Sequence, residues 1–347
     1  MQKFNIHTVK KNDTLKSIAT LYGIDKDALK LFHNNLCSVR DMVLIELTGQ
    51  KEIFIPRAAV ADQNKKVPLG RTNSLIFNPA KIYRKYGAVI NIENGDHHNE
   101  LKYEASVRWI RSENGLHYFE IDRISKLYLN EEEVNEIADM LAYQTSKVLY
   151  PLLISTDEQG KFKTVENLSV FKERWPGVKE EIYKEFEGET VDRYCRQIEK
   201  VLEAPETLNL YLKNDYFIRT LFYGIYQKFG ENFNTEEIES FPITDNPIEP
   251  KYKIKLELDP LKDDHDLIRI DGTGKLHEER SVSDFMNGAP FSMIIDDDDP
   301  VINHDGEFRM RYYLDEKTIF PASMYLESSI RLREEKKISV SIATISE

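Results

Sequence analysis

The sequence predicts an α+β protein in two unequal parts: a βααβ module at the N-terminus, then a larger domain with a curved antiparallel sheet or partial barrel and packed helices. Three observations predict it. The first fifty-odd residues hold two short strand-like runs around two helical patterns. Clean apolar/polar alternation recurs both before and after one long helical block. The alternating strands keep a polar residue at every second position, as antiparallel strands with one wet face do and fully covered parallel strands do not. At 347 residues the chain is too long for one small domain, which suggests two.

In the N-terminal part, residues 6 to 10 read as a short strand. Asp13-Thr14-Leu15 then opens a helix with Leu15, Ile18, Ala19 and Tyr22 on one face, closed by Gly23. A second helix starts near Asp25, with Ala28, Leu29 and Phe32 inward and the Asn34-Asn35 pair as its stop. Glu52-Ile53-Phe54-Ile55-Pro56 is a second strand, ended by its proline.

These residues resemble the LysM family, whose pattern opens as YTVKxGDTLxxIAxxYG, carries an Asn after the second helix and closes on GQxLxIP. The counterparts here are His7-Thr8-Val9-Lys10-Lys11-Asn12-Asp13-Thr14-Leu15, Ser17-Ile18-Ala19, Tyr22-Gly23, Asn35, Gly49-Gln50 and Ile53-Phe54-Ile55-Pro56. The match covers about a sixth of the chain. In that family a shallow groove between the first strand–helix loop and the second helix–strand loop binds N-acetylglucosamine-containing glycans. Carried over, the groove residues are Asn12, Asp13, Thr14 and Leu15 in the first loop, and Leu44 and Ile45 in the second, within Val43 to Gly49. The family's usual glycine is Asn12 here, and asparagine tolerates positive φ better than most residues. Asp13 reads as the N-cap of the first helix, with direct glycan contact as the alternative. The groove can serve glycan, or the same fold can be reused to contact protein.

The periodicity fades from Arg57 to Pro79, so the module is assigned to residues 1–57, a linker to 58–79 and the large domain to 80–347. Leu101, Tyr103, Ala105, Val107 and Trp109 alternate into a Glu113-Asn114-Gly115 turn and a second apolar stretch, Leu116 to Ile124, which is a hairpin. Asn130 and Glu133 have capping-box spacing ahead of a helix running from Val134 to about Tyr150. A second hairpin spans Leu152 to Val170 around Asp157–Gly160, ended by Trp175-Pro176-Gly177. A helical block follows over 178–229, with Cys195 on its apolar face. Further strands lie around Tyr252–Leu258, Phe308–Tyr312, Ala322–Leu332 and Ile338–Thr344, with Asp271-Gly272-Thr273-Gly274 as a turn between strands.

Composition limits the partners. Sixty acidic against 47 basic residues leave a net charge of −13, which opposes binding to nucleic acid or anionic lipid. No stretch approaches the roughly 20 apolar residues of a membrane span, and the N-terminus lacks a secretory signal pattern. The expected location is cytoplasmic, with Cys37 and Cys195 as buried thiols. Neither cysteine sits at an exposed helix start, and no G-x-S-x-G, H-E-x-x-H or Walker loop occurs. The chain is therefore expected not to be an enzyme, with no catalytic residues and no cofactor. The loops at Asp296–Asp299, Asp263–Asp266 and His97-His98 are read as solvated polar segments rather than metal sites. The expected function is that of a binding or adaptor protein. The resemblance, with the missing signal, implies a component, chaperone or effector-loading adaptor of a contractile injection machine, with spike, hub or effector proteins as partners. The alternative is an envelope protein that binds peptidoglycan glycan; a cell-wall hydrolase is the remaining reading. A ligand-sheltering cavity inside the partial barrel is a further alternative.

Overall fold

The computed structural model describes residues 4–10, 13–56, 66–70, 73–133, 136–230, 232–244, 248–263, 265–293 and 305–345. The N-terminal module contains β1 (Phe4–Thr8), α1 (Leu15–Leu21), α2 (Lys26–Asn34), a short 3₁₀ turn at Val39–Asp41 and β2 (Glu52–Pro56). β1 and β2 pair antiparallel, with His7 opposite Ile53. Leu15, Ile18, Ala19, Leu29, Val43, Ile53 and Ile55 close a core separate from that of the rest of the chain. The first strand thus lies two residues earlier than its pattern suggested. On α2 the inward pair is Leu29 and His33, while Ala28 is exposed.

The large domain is organised by a thirteen-stranded antiparallel sheet. Its strands are β3 (Tyr83–Asn94), β4 (His97–Glu113), β5 (Leu116–Arg123), β6 (Tyr128–Leu129), β7 (Glu132–Glu133), β8 (Leu152–Thr156), β9 (Phe162–Val165), β10 (Asn234–Ser240), β11 (Lys251–Leu258), β12 (Ile268–Leu276), β13 (Glu307–Leu314), β14 (Pro321–Arg331) and β15 (Glu335–Thr344). The main path runs β10-β11-β12-β13-β14-β15-β3-β4-β5-β8-β9, with β6 and β7 branching from β4. The C-terminal strand β15 joins the two halves by pairing with β3, Val340 opposite Ile90. Alternation decides which face is dry: in β11, Tyr252, Ile254, Leu256 and Leu258 are buried and the residues between them exposed.

The sheet is curled. Held flat, β10 and β9 would lie about 48 Å apart at the usual strand spacing of about 4.8 Å. Instead Lys161, in the β8–β9 turn, forms an ion pair with Glu239 of β10. The segment 222–229 spans the remaining gap: Phe162 donates its N–H to the Phe222 carbonyl (2.9 Å), Tyr226 donates to Gln159 (3.3 Å), and the Gln227 side chain donates to Glu237. Ahead of that segment, α7 (Tyr216–Leu221) packs on β14 and β15. Tyr312 donates its hydroxyl to the Thr220 carbonyl (2.6 Å) and Tyr226 to Ile319 (2.7 Å), so the inner face is occupied by the chain's own side chains. α3 (Ile137–Ser146), α4 (Leu168–Glu185), α5 (Glu189–Glu203) and α6 (Pro205–Lys213) pack on one another, with α6 against β9.

The structure departs from the sequence expectations at several places. Asn130 does not cap a helix: it has φ 51° in the turn between β6 and β7, and its side chain accepts the Glu100 N–H (2.8 Å). The helix begins at Ile137, and a 3₁₀ turn takes over at Lys147. Trp175-Pro176-Gly177 does not end a hairpin but lies inside α4. Phe171, Trp175 and Ile182 all bury on one helical face, and that packing outweighs the proline's lost N–H. The helical block accordingly runs from Leu168 to Leu221. Within the stretch read as linker, Val67, Leu75 and Phe77 are buried in the large core, and Lys66 and Ser74 form bridges to Leu261 and Lys228.

Gly272 and Gly274 do not make a turn. They lie within β12, where a Cβ on Gly272 would fall 2.6 Å from Met310 Cγ and one on Gly274 would fall 2.8 Å from the Lys253 carbonyl oxygen. Glycine is required there by close cross-strand approach. Gly274→Ala is expected to destabilise the fold by about 1–3 kcal/mol, measured by denaturant unfolding, because the neighbour that must yield is backbone.

Glu237 gives a pH prediction. Burial pushes its carboxyl up, outweighing the Gln227 amide that donates to it, with Glu239 adding repulsion. A carboxyl whose folded pKa is raised contributes most stability below its unfolded value, about 4.3, and that contribution is lost as pH rises through the folded value. Glu237→Gln is therefore expected to raise Tm at pH 7.5, with the gain over the native chain vanishing below about pH 4.

Candidate functional site

The candidate site lies on the N-terminal module and is built by two loops. In the first, the α1 N-cap is Thr14: its hydroxyl accepts the Ser17 N–H (3.0 Å) and the Ser17 hydroxyl accepts the Thr14 N–H (2.9 Å), a reciprocal cap. Asp13, expected in that role, accepts instead from the Lys10 N–H (2.7 Å) and stands 2.9 Å from His7 Nε2. Burial raises the Asp13 carboxyl, but the His7 ring and the Lys10 amide outweigh it and hold the group below the ordinary carboxylate range. His7 Nδ1 in turn lies 3.2 Å from the Tyr22 hydroxyl. Leu15 has no exposed surface and belongs to the module core, not to a groove. Its place at the first helical position turns it inward with Ile18 and Ala19. Asn12 lies outside the described residues.

The second loop is braced from beneath. Asn34 clamps Val43 with both side-chain atoms, its Nδ2 donating to the Val43 carbonyl and its Oδ1 accepting the Val43 N–H, each at 2.8 Å. Gln50 donates to the Met42 carbonyl (3.0 Å) and accepts the Thr48 N–H (2.8 Å). His33, 1% exposed, accepts the Phe54 N–H at Nδ1 (3.1 Å), which makes Nε2 the donor to the Asp41 carbonyl (3.0 Å). With the backbone so held, Leu44 and Ile45 stand in solvent at 77% and 79% exposure. A rigid loop that displays two aliphatic side chains loses little entropy when it binds.

Of the six residues carried over from the family pattern, Asp13 and Thr14 line one cleft, which passes between the module and the large domain. Glu46 and Leu47, directly after Leu44 and Ile45, line it as well. Residue pattern marked Asn34 only as a helix stop and Gln50 only as part of the LysM closure, and left His33 unmarked. The signal for His33 was its spacing four residues after Leu29 on α2, hidden by the polar residue type.

Other sequence candidates are placed elsewhere. His97 and His98 are exposed beside the Gly95-Asp96 turn joining β3 to β4, as expected of a polar hairpin tip. Asp263 is a turn residue that accepts the His265 and Leu267 N–H groups. Asp296–Asp299 lie outside the described residues, and no metal-binding cluster occurs among those described. Cys195 is buried in α5, and burial pushes its thiol up. No helix among the described residues is long and apolar enough to cross a membrane.

A LysM domain family model matches residues 7–32. The N-terminal module is a LysM domain. Structurally it extends beyond the matched stretch to Pro56, because β1 needs β2 as its only partner strand among the described residues. No curated protein matches the chain in sequence. Among solved structures, a lipovitellin studied for its lipid–protein interactions is similar over 78% of this chain, with a TM-score of 0.38 and 11% identity; the match spans 25% of the lipovitellin chain. A DUF1329 family protein from Desulfovibrio piger is similar over 76% of this chain and 85% of its own, with a TM-score of 0.19 and 8% identity. At these TM-scores neither likeness carries an argument about function.

Proposed function

We propose that this protein is a non-enzymatic binding protein whose LysM domain recognises N-acetylglucosamine-containing glycan of the peptidoglycan type, with the large sheet domain as its platform. The observation that carries the reading is the braced second loop, which holds Leu44 and Ile45 in solvent within a LysM domain. Saturable pelleting of the full-length chain with purified peptidoglycan, competed by soluble N-acetylglucosamine oligomers, tests it. Pelleting that oligomers do not compete, or none, rejects it.

Replacing Leu44 and Ile45 together by serine is expected to leave the melting curve unchanged, since both are exposed. Glycan affinity should fall by about tenfold or more, equivalent to about 1.4 kcal/mol per decade. Titration calorimetry of the double variant against the native chain measures this.

A second reading rests on a separate observation. Leu31 and Val39 are also exposed on the module, at 64% and 87%. With Ile6, Leu21, Leu36, Leu44 and Ile45 they make seven exposed aliphatic side chains among the module's described residues, and apolar surface of that kind favours docking to a protein. In that reading the module joins the protein to a spike, hub or effector protein of a contractile injection machine. A stoichiometric protein complex insensitive to N-acetylglucosamine oligomers is its signature.

A further inference from the structure

The large domain supplies more than a platform. α1 is seated on it through Lys16, whose Nζ donates to the Leu258 carbonyl (3.3 Å) and lies 5.5 Å from the centre of the Phe233 ring. Burial lowers the Lys16 ammonium, an effect opposed by Glu257 and Asp259 from the sheet domain. This seat brings the LysM loops face to face with β11 and β12. Between them lies a cleft of about 710 Å³, with Asp13, Thr14 and Glu46 on one wall and Lys255, Glu257 and Asp271 on the other. A volume of that size falls within the range of about 300–1,000 Å³ that encloses small ligands.

The chemistry of the walls narrows the ligand. Five basic side chains stand among seven acidic ones around the cleft, so no excess of positive charge favours phosphate or another polyanion. Seven of these twelve charges are paired with one another: Lys26 with Glu46 (2.5 Å), Lys255 with Glu257 (2.7 Å), and Arg269 with Asp259 (3.0 Å) and Asp271 (3.3 Å). Paired charges offer many hydrogen-bond donors and acceptors with little net field. That suits a neutral, polyhydroxylated ligand, whose hydroxyls both donate and accept.

We propose that this cleft is a composite oligosaccharide site, in which the LysM loops hold one part of a glycan chain and the β11–β12 surface reads the sugars that follow. The proposal rests on the glycan reading of the LysM domain and extends it to residues outside that domain. A short glycan engages the LysM loops alone, while a longer one crosses to Lys255, Glu257 and Asp271. Affinity therefore rises with chain length by way of the sheet domain.

The test titrates the full-length chain with the disaccharide and the tetrasaccharide of N-acetylglucosamine, beside a Lys255→Ala/Glu257→Ala variant. That pair is half exposed, at 46% and 51%, so its removal costs the fold little; an unchanged melting curve of the variant checks that α1 keeps its seat. The native chain should bind the tetrasaccharide more tightly, and the variant should lose about tenfold on it while keeping its disaccharide affinity. As a second readout, the tetrasaccharide should slow amide exchange over residues 253–257 of the native chain, and the disaccharide should not. Equal tetrasaccharide affinity in the two chains, with no protection of β11, overturns the composite site and leaves the LysM reading standing. If the native chain binds neither sugar, the glycan reading falls and takes the composite site with it.

Discussion

Truncating Arg280 to alanine is expected to lower the stability of the large domain by about 3–5 kcal/mol. Arg280 is 3% exposed and lies between β12 and α8 (Val282–Met286). Its guanidinium pairs with Glu278 at 2.5 and 2.9 Å, and donates to the backbone carbonyls of Ile248, Glu249 and Ala289. It also lies over the Phe285 ring, 4.1 Å from its centre. One side chain thus ties the segment ahead of β11 and the turn after α8 to the chain that leaves β12. Removing it leaves the Glu278 carboxylate, itself only 7% exposed, without its counter-charge, together with carbonyls that have lost a donor. Denaturant unfolding measures the loss. Pairing the change with Glu278→Gln should recover part of it, because the stranded charge is then gone.

Asn34→Ala should act on the other core. Its two bonds to Val43 satisfy a backbone N–H and carbonyl at a residue with no exposed surface, so neither group gains water when the amide is removed. The expected cost is about 2–4 kcal/mol. Because the module core is separate from the large one, the loss should be confined there. Hydrogen exchange should show amides of residues 43–55 losing protection while those of β11 to β15 do not change. Binding through Leu44 and Ile45 should weaken in parallel, since a loop without its brace must be ordered again by the ligand.

Much of this fold could be read from residue pattern alone, and the failures have physical causes. The Asn114-Gly115 turn was legible because its geometry demands positive φ, and both residues adopt it, at 52° and 76°. The strands from Tyr252 onward were legible because one face is dry and the other wet. β3 was missed: its dry positions Tyr86, Ala88 and Ile90 are interrupted by Val89 and Gly87, which blur the alternation. β12 was broken by its glycines, which locally suggest a turn and are explained only by Met310 and Lys253 on the neighbouring strands. Asn130 and Glu133 fit a capping box by spacing, yet a left-handed turn claims Asn130 first.

The same division holds at the site. The LysM pattern spans both loops, and its matched residues Leu15, Ile18, Ala19, Ile53 and Ile55 form the core that the loops flank. It placed Leu15 in the groove, although position in the first helical turn buries it. The clamp by Asn34 was not legible, since Asn34 and Asn35 are adjacent and only the fold decides which side chain reaches Val43. The facing wall from β11 and β12 lies more than two hundred residues away in sequence and has no motif of its own.

Glycan binding at the second loop is read from the side-chain methyl resonances of Leu44 and Ile45 in the full-length protein while N-acetylglucosamine tetrasaccharide is added. Saturable shifts at those two residues, with the buried methyls of Leu15 and Val43 moving much less, are the result expected of a glycan-binding LysM loop. Unchanged Leu44 and Ile45 resonances at saturating sugar would contradict it.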